Sequence, residues 1–288
     1  MPNQPHKPWK GTTDGTPWMQ RQLIRLARVL PSAVMDVLMA PVIPFYVLFD
    51  GKGRRASYRF FRQRLGMGRW KACIHVFKNM FGMGRVVLDR FAAYGGKSFR
   101  MVFEGELHYQ RLIGREGGFV LLGSHVGNFE LVGYTFPAGK PMKVLVYEGE
   151  TDTVMENRKR LFSRGDIEMV PVRKDLSHLF ALNAALAAGE LVAVSGDRSF
   201  GSGRTCRCPF LGADAAFPTG PFQLAVSREV PALAAFVMRE GRDSYRVIQE
   251  LLPAAGTPQV LAASYAADLE KVVRRYPDQW YNFYDFWA

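Results

Sequence analysis

Phe119-Val-Leu-Leu-Gly-Ser-His-Val-Gly-Asn-Phe-Glu130 is the stretch from which the rest of the chain is best read. It opens on a continuous apolar run, Phe119 to Leu122, as expected of a strand buried on both faces. A Gly-Ser turn follows, so His125 is expected at the carboxyl end of that strand, where parallel α/β sheets place their ligands. Comparable apolar runs occupy residues 143–147, 168–172 and 191–194, with a helix over 176–188 between the last two. Residues 231–238 and 244–251 read as two later strands joined by a turn around Gly241, and a helix over 257–275 follows. Strands alternating with helices predict an α/β fold, a central and largely parallel β-sheet flanked by helices. No repeat, low-complexity segment or long linker divides the chain, so one domain is expected. Within it, an N-terminal helical region spans residues 1–95 and an α/β region spans 96–288.

The charge is unevenly placed. The 288 residues carry 38 Lys+Arg against 26 Asp+Glu, a net charge of +12. Residues 1–72 hold thirteen of the cations against only Asp14, Asp36 and Asp50, which is ten of the twelve excess charges. Charge gathered in this way, without interleaved base-stacking aromatics, argues against nucleic acid as a partner. A hydrophobic share of 48% with 22% charged residues excludes wholesale disorder. Three cysteines (Cys73, Cys206, Cys208) make no disulfide framework and suit a reducing compartment.

Inside the basic quarter, residues 29–49 are apolar and about as long as a transmembrane helix of ~20 residues. Pro31, Pro41 and Pro44 interrupt them and Asp36 sits among them, so a straight span is not expected. The reading is a bent segment in the bilayer interface. Arg21, Arg25 and Arg28 share one helical face, and with Arg54 and Arg55 they would meet anionic headgroups. The alternative is a buried helix pair with a solvated basic rim. The run begins too late for a signal peptide and lacks a small-residue cleavage site.

His125 and Glu130 are the first chemical candidates. Five residues apart, they would be offset by about 140° on a continuous helix, whereas a non-helical start returns the carboxylate to the imidazole. There it would hold the tautomer and leave the other ring nitrogen to take a proton. Gly123, Ser124, Gly127 and Asn128 let backbone approach a bound group. A second cluster, Ser195-Gly-Asp-Arg-Ser-Phe-Gly-Ser-Gly-Arg-Thr205, follows the fourth strand. It would bring Asp197 and Arg198 towards His125 and make Arg204 part of an anion-binding rim. The plainer readings are a satisfied histidine in a tight turn and a hairpin-like loop with solvated charges. Gly123-Ser-His-Val-Gly127 is not a nucleophile elbow, there is no HExxH, and Gly201-Ser-Gly-Arg-Thr205 lacks the length and lysine of a P-loop. Cys206 and Cys208 are too few for zinc, and Cys73 with His75 is poorly spaced as a nucleophile pair. No metal is expected.

His125-x-x-x-x-Glu130 resembles the HX4(D/E) motif of the bacterial lipid A late acyltransferases, in the lysophospholipid acyltransferase superfamily. The similarity extends through Gly196-Asp-Arg198, Pro209-Phe-Leu-Gly212 and Phe217-Pro-Thr-Gly-Pro-Phe-Gln-Leu-Ala225. It ends in Tyr276-Pro-Asp-Gln-Trp-Tyr-Asn-Phe-Tyr-Asp-Phe-Trp287. That ending differs from the Trp/His/Arg-rich one of true lipid A enzymes and is more similar to the branch found with aryl polyene pathways. The resemblance implies transfer of a fatty acyl chain from a thioester donor, acyl carrier protein or coenzyme A, to a hydroxyl of a lipid or glycolipid. His125 would be the general base, oriented by Glu130, with no acyl-enzyme and no cofactor, since the thioester is a substrate. Backbone N–H groups of the 123–128 turn are candidates for the oxyanion. An arginine important in the family corresponds to Arg164, with Arg160 second, and Asp197 matches its acidic position. The implied location is the cytoplasmic face of the bacterial inner membrane, peripheral or monotopic. The contrasting reading is a membrane-docked lipid-binding protein that kept the fold and lost catalysis.

Overall fold

The computed structural model describes residues 16–105, 107–135, 139–147, 152–162, 166–173, 175–198, 203–254 and 256–287. The described residues form nine strands: β1 (Arg100–Glu104), β2 (Phe119–Gly123), β3 (Met142–Val146), β4 (Ile167–Pro171), β5 (Leu191–Ser195), β6 (Thr205–Phe210), β7 (Ala213–Pro218), β8 (Ala232–Arg239) and β9 (Ser244–Leu251). Seven of them form one sheet in the order β1-β9-β8-β2-β5-β3-β4. Every neighbouring pair is parallel except β8 with β9, which the short turn at Gly241 forces antiparallel. The largely parallel sheet expected from the sequence is therefore present, with one antiparallel pair. Strand β1 and the antiparallel β6–β7 hairpin were not anticipated. Both are short, and β6 alternates buried and exposed residues, which a search for apolar runs passes over.

Strand β2 is buried along its whole length. Its alternate side chains enter two cores. Val120 and Leu122 face one built with α9 (Ser177–Ala187), α10 (Thr219–Ser227) and α11 (Pro258–Arg275). Phe119 and Leu121 face a second, which takes in Tyr109 and Leu112 of α6 (His108–Ile113) and Phe162 of α8 (Asp152–Phe162). Side chains alternate across a strand, so a continuous apolar run needs two covering layers, and helices supply both. Register then sets the functional edge: Gly123 of β2 lies opposite Ser195 of β5, so the segments leaving both strands emerge side by side.

The N-terminal region is helical: α1 (Pro17–Val29), α2 (Ser32–Met39), α3 (Ile43–Phe49), α4 (Gly51–Arg59) and α5 (Arg69–Tyr94), with a π-helical turn over Phe60–Arg64. The remaining helix, α7, covers Val132–Thr135. Pro31 immediately precedes α2, Pro41 lies in the turn after it and Pro44 in the first turn of α3, positions where a missing N–H costs little. The two helices are bent by 42° to each other, and no single helix among the described residues is long and apolar enough to cross a membrane. Asp36 is explained by an ion pair with Arg85 of α5. Asp50 caps α4, accepting from Gly53 N at 2.9 Å. Met39 and Ile43 are buried in the main core, while Val37, Phe45, Leu48 and Phe49 are exposed, as are Trp70, Ile74 and Phe77 of α5. The pair is thus buried on one side and exposed on the other.

Candidate active site

His125 lies two residues beyond β2 and Asp197 two beyond β5, at the carboxyl edge of adjacent parallel strands. His125 Nδ1 is 2.8 Å from Asp197 Oδ1, and His125 N donates to Oδ2 at 2.7 Å. Ser195 Oγ donates to Oδ1 at 2.8 Å. Burial works most strongly against the charge on Asp197, but His125, Arg198 and the donated hydrogen bonds outweigh it and hold the carboxyl below its ordinary value. An ionised, acceptor-only Asp197 assigns the Nδ1 proton to the imidazole and leaves Nε2 as a proton acceptor. The His125 side chain is 32% exposed and that of Asp197 only 2%, so the imidazole faces the open side of the pair.

The expectation sets Glu130 beside the imidazole, but among the described residues Asp197 is the carboxylate on His125 Nδ1 and the Glu130 carboxylate is bonded to residues of α5 and α8. The chain leaves residues 124–128 as an irregular segment and enters a 3₁₀ turn over Phe129–Leu131. That turns the Glu130 carboxylate towards α5 and α8. Arg158 grips it with two hydrogen bonds, Nε to Oε1 at 3.1 Å and Nη2 to Oε2 at 3.0 Å. Arg90 Nη1 adds a third at 3.1 Å and Tyr94 Oη a fourth at 2.6 Å. Burial opposes the Glu130 charge most, yet the two guanidiniums and the phenol hold its carboxyl far below the usual carboxylate range. Tyr94 is pushed up, first by burial and then by the Glu130 charge.

The other expected residues divide. Gly123 receives Gly196 N at 2.9 Å and Tyr265 Oη at 2.6 Å on its carbonyl, while a Cβ on it would meet the Phe129 ring at 2.2 Å. Ser124 Oγ accepts from Val126 N at 3.3 Å. Asn128 Nδ2 donates to Tyr245 Oη at 3.3 Å, within a buried group that includes Asp89 and Arg239. Arg198 stacks over Tyr284, its Cζ 5.2 Å from the ring centre. Arg204 is exposed at the start of the β6–β7 hairpin and makes no contact with the dyad, and residues 199–202 of that loop lie outside the described residues. Arg164 also lies outside them. Arg160 donates to Asn157 Oδ1 at 2.9 Å and to Tyr94 O at 3.5 Å, while Arg158, also of α8, bonds Glu130. Arg158, Arg90 and Tyr94 were not read from the sequence. The only signal was the i, i+4 spacing of Arg90 and Tyr94, which any helix face offers.

The 123–128 turn also uses its amides differently from expectation. His125 N goes to Asp197, Val126 N to Ser124 Oγ, Gly127 N to Gln279 O at 2.9 Å and Asn128 N to Val237 O at 2.8 Å. These four donors have protein acceptors and do not form an oxyanion site as they stand. Gly127 has φ +67°, and a Cβ there would lie 2.1 Å from Val237 O, so this close approach to β8 requires glycine.

Among the five basic residues expected at a membrane, Arg21, Arg25 and Arg28 are exposed along α1. Arg55 is exposed but bonds Gly51 O at 2.8 Å. Arg54 is half-buried and closes the end of α3 by donating to Val47 O at 2.8 Å.

None of the curated proteins matches the chain. A family model, described as bacterial lipid A biosynthesis acyltransferase, matches residues 90–288. The match begins at Arg90 and takes in His125, Glu130, Arg158, Asp197 and the C-terminal aromatic segment. With some two-thirds of its length covered by a single family model, the chain belongs to the bacterial lipid A biosynthesis acyltransferase family and is an acyltransferase.

Proposed function

We propose that the protein moves a fatty acyl chain from a thioester donor to a hydroxyl of a lipid or glycolipid, with His125 as general base. The observation that carries this reading is the His125–Asp197 pair at the sheet's carboxyl edge, with Nδ1 held by a buried carboxylate. A hydroxyl becomes an adequate nucleophile as its proton leaves, and His125 Nε2 takes that proton while the oxygen attacks the thioester carbonyl. Collapse of the tetrahedral intermediate expels the thiolate, which recovers the proton from the imidazolium. Asp197 stabilises the imidazolium in between. Glu130 holds α5 and α8 against this segment through its ion pairs with Arg90 and Arg158. The reaction needs no cofactor and no metal, and the donor is acyl carrier protein or acyl-coenzyme A.

In the same reading the protein works at the cytoplasmic face of a bacterial inner membrane. Exposed Val37, Phe45, Leu48 and Phe49 of α2–α3 enter the interface, and Arg21, Arg25 and Arg28 face anionic headgroups. The test is to incubate purified protein with acyl carrier protein and coenzyme A thioesters of one fatty acid, together with bacterial lipid extract, and to follow acylated lipid by mass spectrometry. Wild type is expected to transfer the chain with one donor, and His125→Ala to lose transfer by roughly 100-fold or more. Normal transfer by His125→Ala would end the general-base reading.

A further inference from the structure

We infer that Gln279 is a positioning residue for His125, acting through a short C-terminal strap that holds the 125–128 segment. The strap begins where α11 ends, with a 3₁₀ turn over Pro277–Gln279. It then runs antiparallel to the histidine segment, with Val126 opposite Trp280. Gly127 N donates to Gln279 O at 2.9 Å and Tyr281 N donates to His125 O at 3.0 Å, so the backbone on each side of Val126 is tied to it.

The Gln279 side chain anchors this strap to the sheet. Its Oε1 accepts from Arg239 N at 2.8 Å and its Nε2 donates to Arg239 O at 2.8 Å, so one amide occupies both hydrogen-bonding groups of the last residue of β8. The preceding strand residue that faces the same segment, Val237, accepts from Asn128 N at 2.8 Å. The loop that carries the imidazole thus meets β8 twice, directly through Asn128 N and, by way of the strap, through the Gln279 side chain. The far side of the strap is held by Asn79 of α5, whose Nδ2 donates to Asp278 O at 2.9 Å and Trp280 O at 3.0 Å. Asn79 is buried and holds the strap to α5, whereas Gln279 ties it to the end of β8. The physical consequence is directional. His125 must present Nδ1 to Asp197 while Nε2 stays outward, so a displaced backbone lengthens the Nδ1 contact and misplaces the base.

This inference rests on the general-base reading for its catalytic consequence, and the experiment separates the two. Gln279→Met keeps the side chain's length and removes both polar contacts, and Gln279→Glu keeps the acceptor while setting an oxygen against Arg239 O. For both, kcat and KM for acyl transfer are measured beside thermal unfolding, with His125→Ala as reference. The downfield Nδ1 proton of His125 is followed by NMR and assigned by its absence in His125→Ala. The expected result is a kcat lowered on the order of 10- to 100-fold, KM within about twofold, an unchanged folded fraction at the assay temperature and a broadened or lost His125 proton signal. A Gln279→Met enzyme with wild-type kcat and an intact His125 signal overturns the inference. So does a loss of rate that tracks the unfolded fraction in both variants. If His125→Ala proves active, the general-base reading fails on its own, and the proton signal in Gln279→Met still decides whether Gln279 sets the imidazole's geometry.

Discussion

Asp197 Oδ1 stands 2.8 Å from His125 Nδ1 although the two residues are 72 positions apart in the chain. Their meeting follows from strand register. Gly123 and Ser195 are partners in adjacent parallel strands, and each candidate residue lies two positions beyond its strand. Parallel neighbours bring both carboxyl ends to one edge, so two separate turns build a single site.

Asp197→Asn is expected to keep the fold and to lower acyl transfer on the order of 100-fold or more. An amide still fills the space beside His125 N, but it no longer stabilises the imidazolium or enforces the Nδ1–H tautomer. Initial rates with a saturating thioester, measured beside circular dichroism of the same preparation, decide the point. A rate within twofold of wild type would remove Asp197 from the proposed mechanism.

Glu130→Gln should destabilise the protein at neutral pH by about 3 kcal/mol, because Arg90 and Arg158 lose the charge they share in a largely buried place. The pH dependence has a definite sign. The folded-state pKa of Glu130 lies below its ordinary value of 4.5, so its contribution is complete above that value. It is lost as pH falls from there through the depressed folded-state pKa. Urea unfolding of wild type and variant should therefore differ by a constant amount from pH 7 to about 5, and the gap should close at lower pH. A gap that persists unchanged to about pH 3, or widens, contradicts the assignment of the cluster.

Replacing Arg21, Arg25 and Arg28 together by Gln should weaken binding to anionic phospholipid vesicles by about 3 kcal/mol, on the order of 100-fold. Binding by wild type should also fall as salt is raised, since exposed charges are screened. Co-sedimentation with anionic and with zwitterionic vesicles measures both effects. Equal binding of the triple variant and wild type to anionic vesicles would move the contact away from this face of α1.

The legible parts of this chain were those governed by short-range patterning. Residues 119–122 read as a strand covered on both sides, and Val120 and Phe119 do enter opposite cores. The prolines at 31, 41 and 44 signalled a broken apolar segment, and two short helices bent against each other are what forms. Strand β1 and the hairpin of β6 and β7 were missed because their burial alternates or is partial, which leaves no apolar run to recognise. The strap was not legible either. Gln279 lies in an aromatic-rich ending whose composition says nothing about an amide closing the end of a strand forty residues away.

The sequence by itself determined that His125 and Asp197 follow the ends of two buried strands, because an apolar run and the turn that ends it are local features. Tertiary structure alone decided which carboxylate serves which partner. Glu130 is five residues from His125, yet the 3₁₀ turn carries it to Arg90, Tyr94 and Arg158, while Asp197 arrives from β5 to take the imidazole. Proximity along a chain specifies a face only when the segment between is regular. Here that segment is irregular, tied to β8 and to the C-terminal strap, and the long-range hydrogen bonds set where its side chains go.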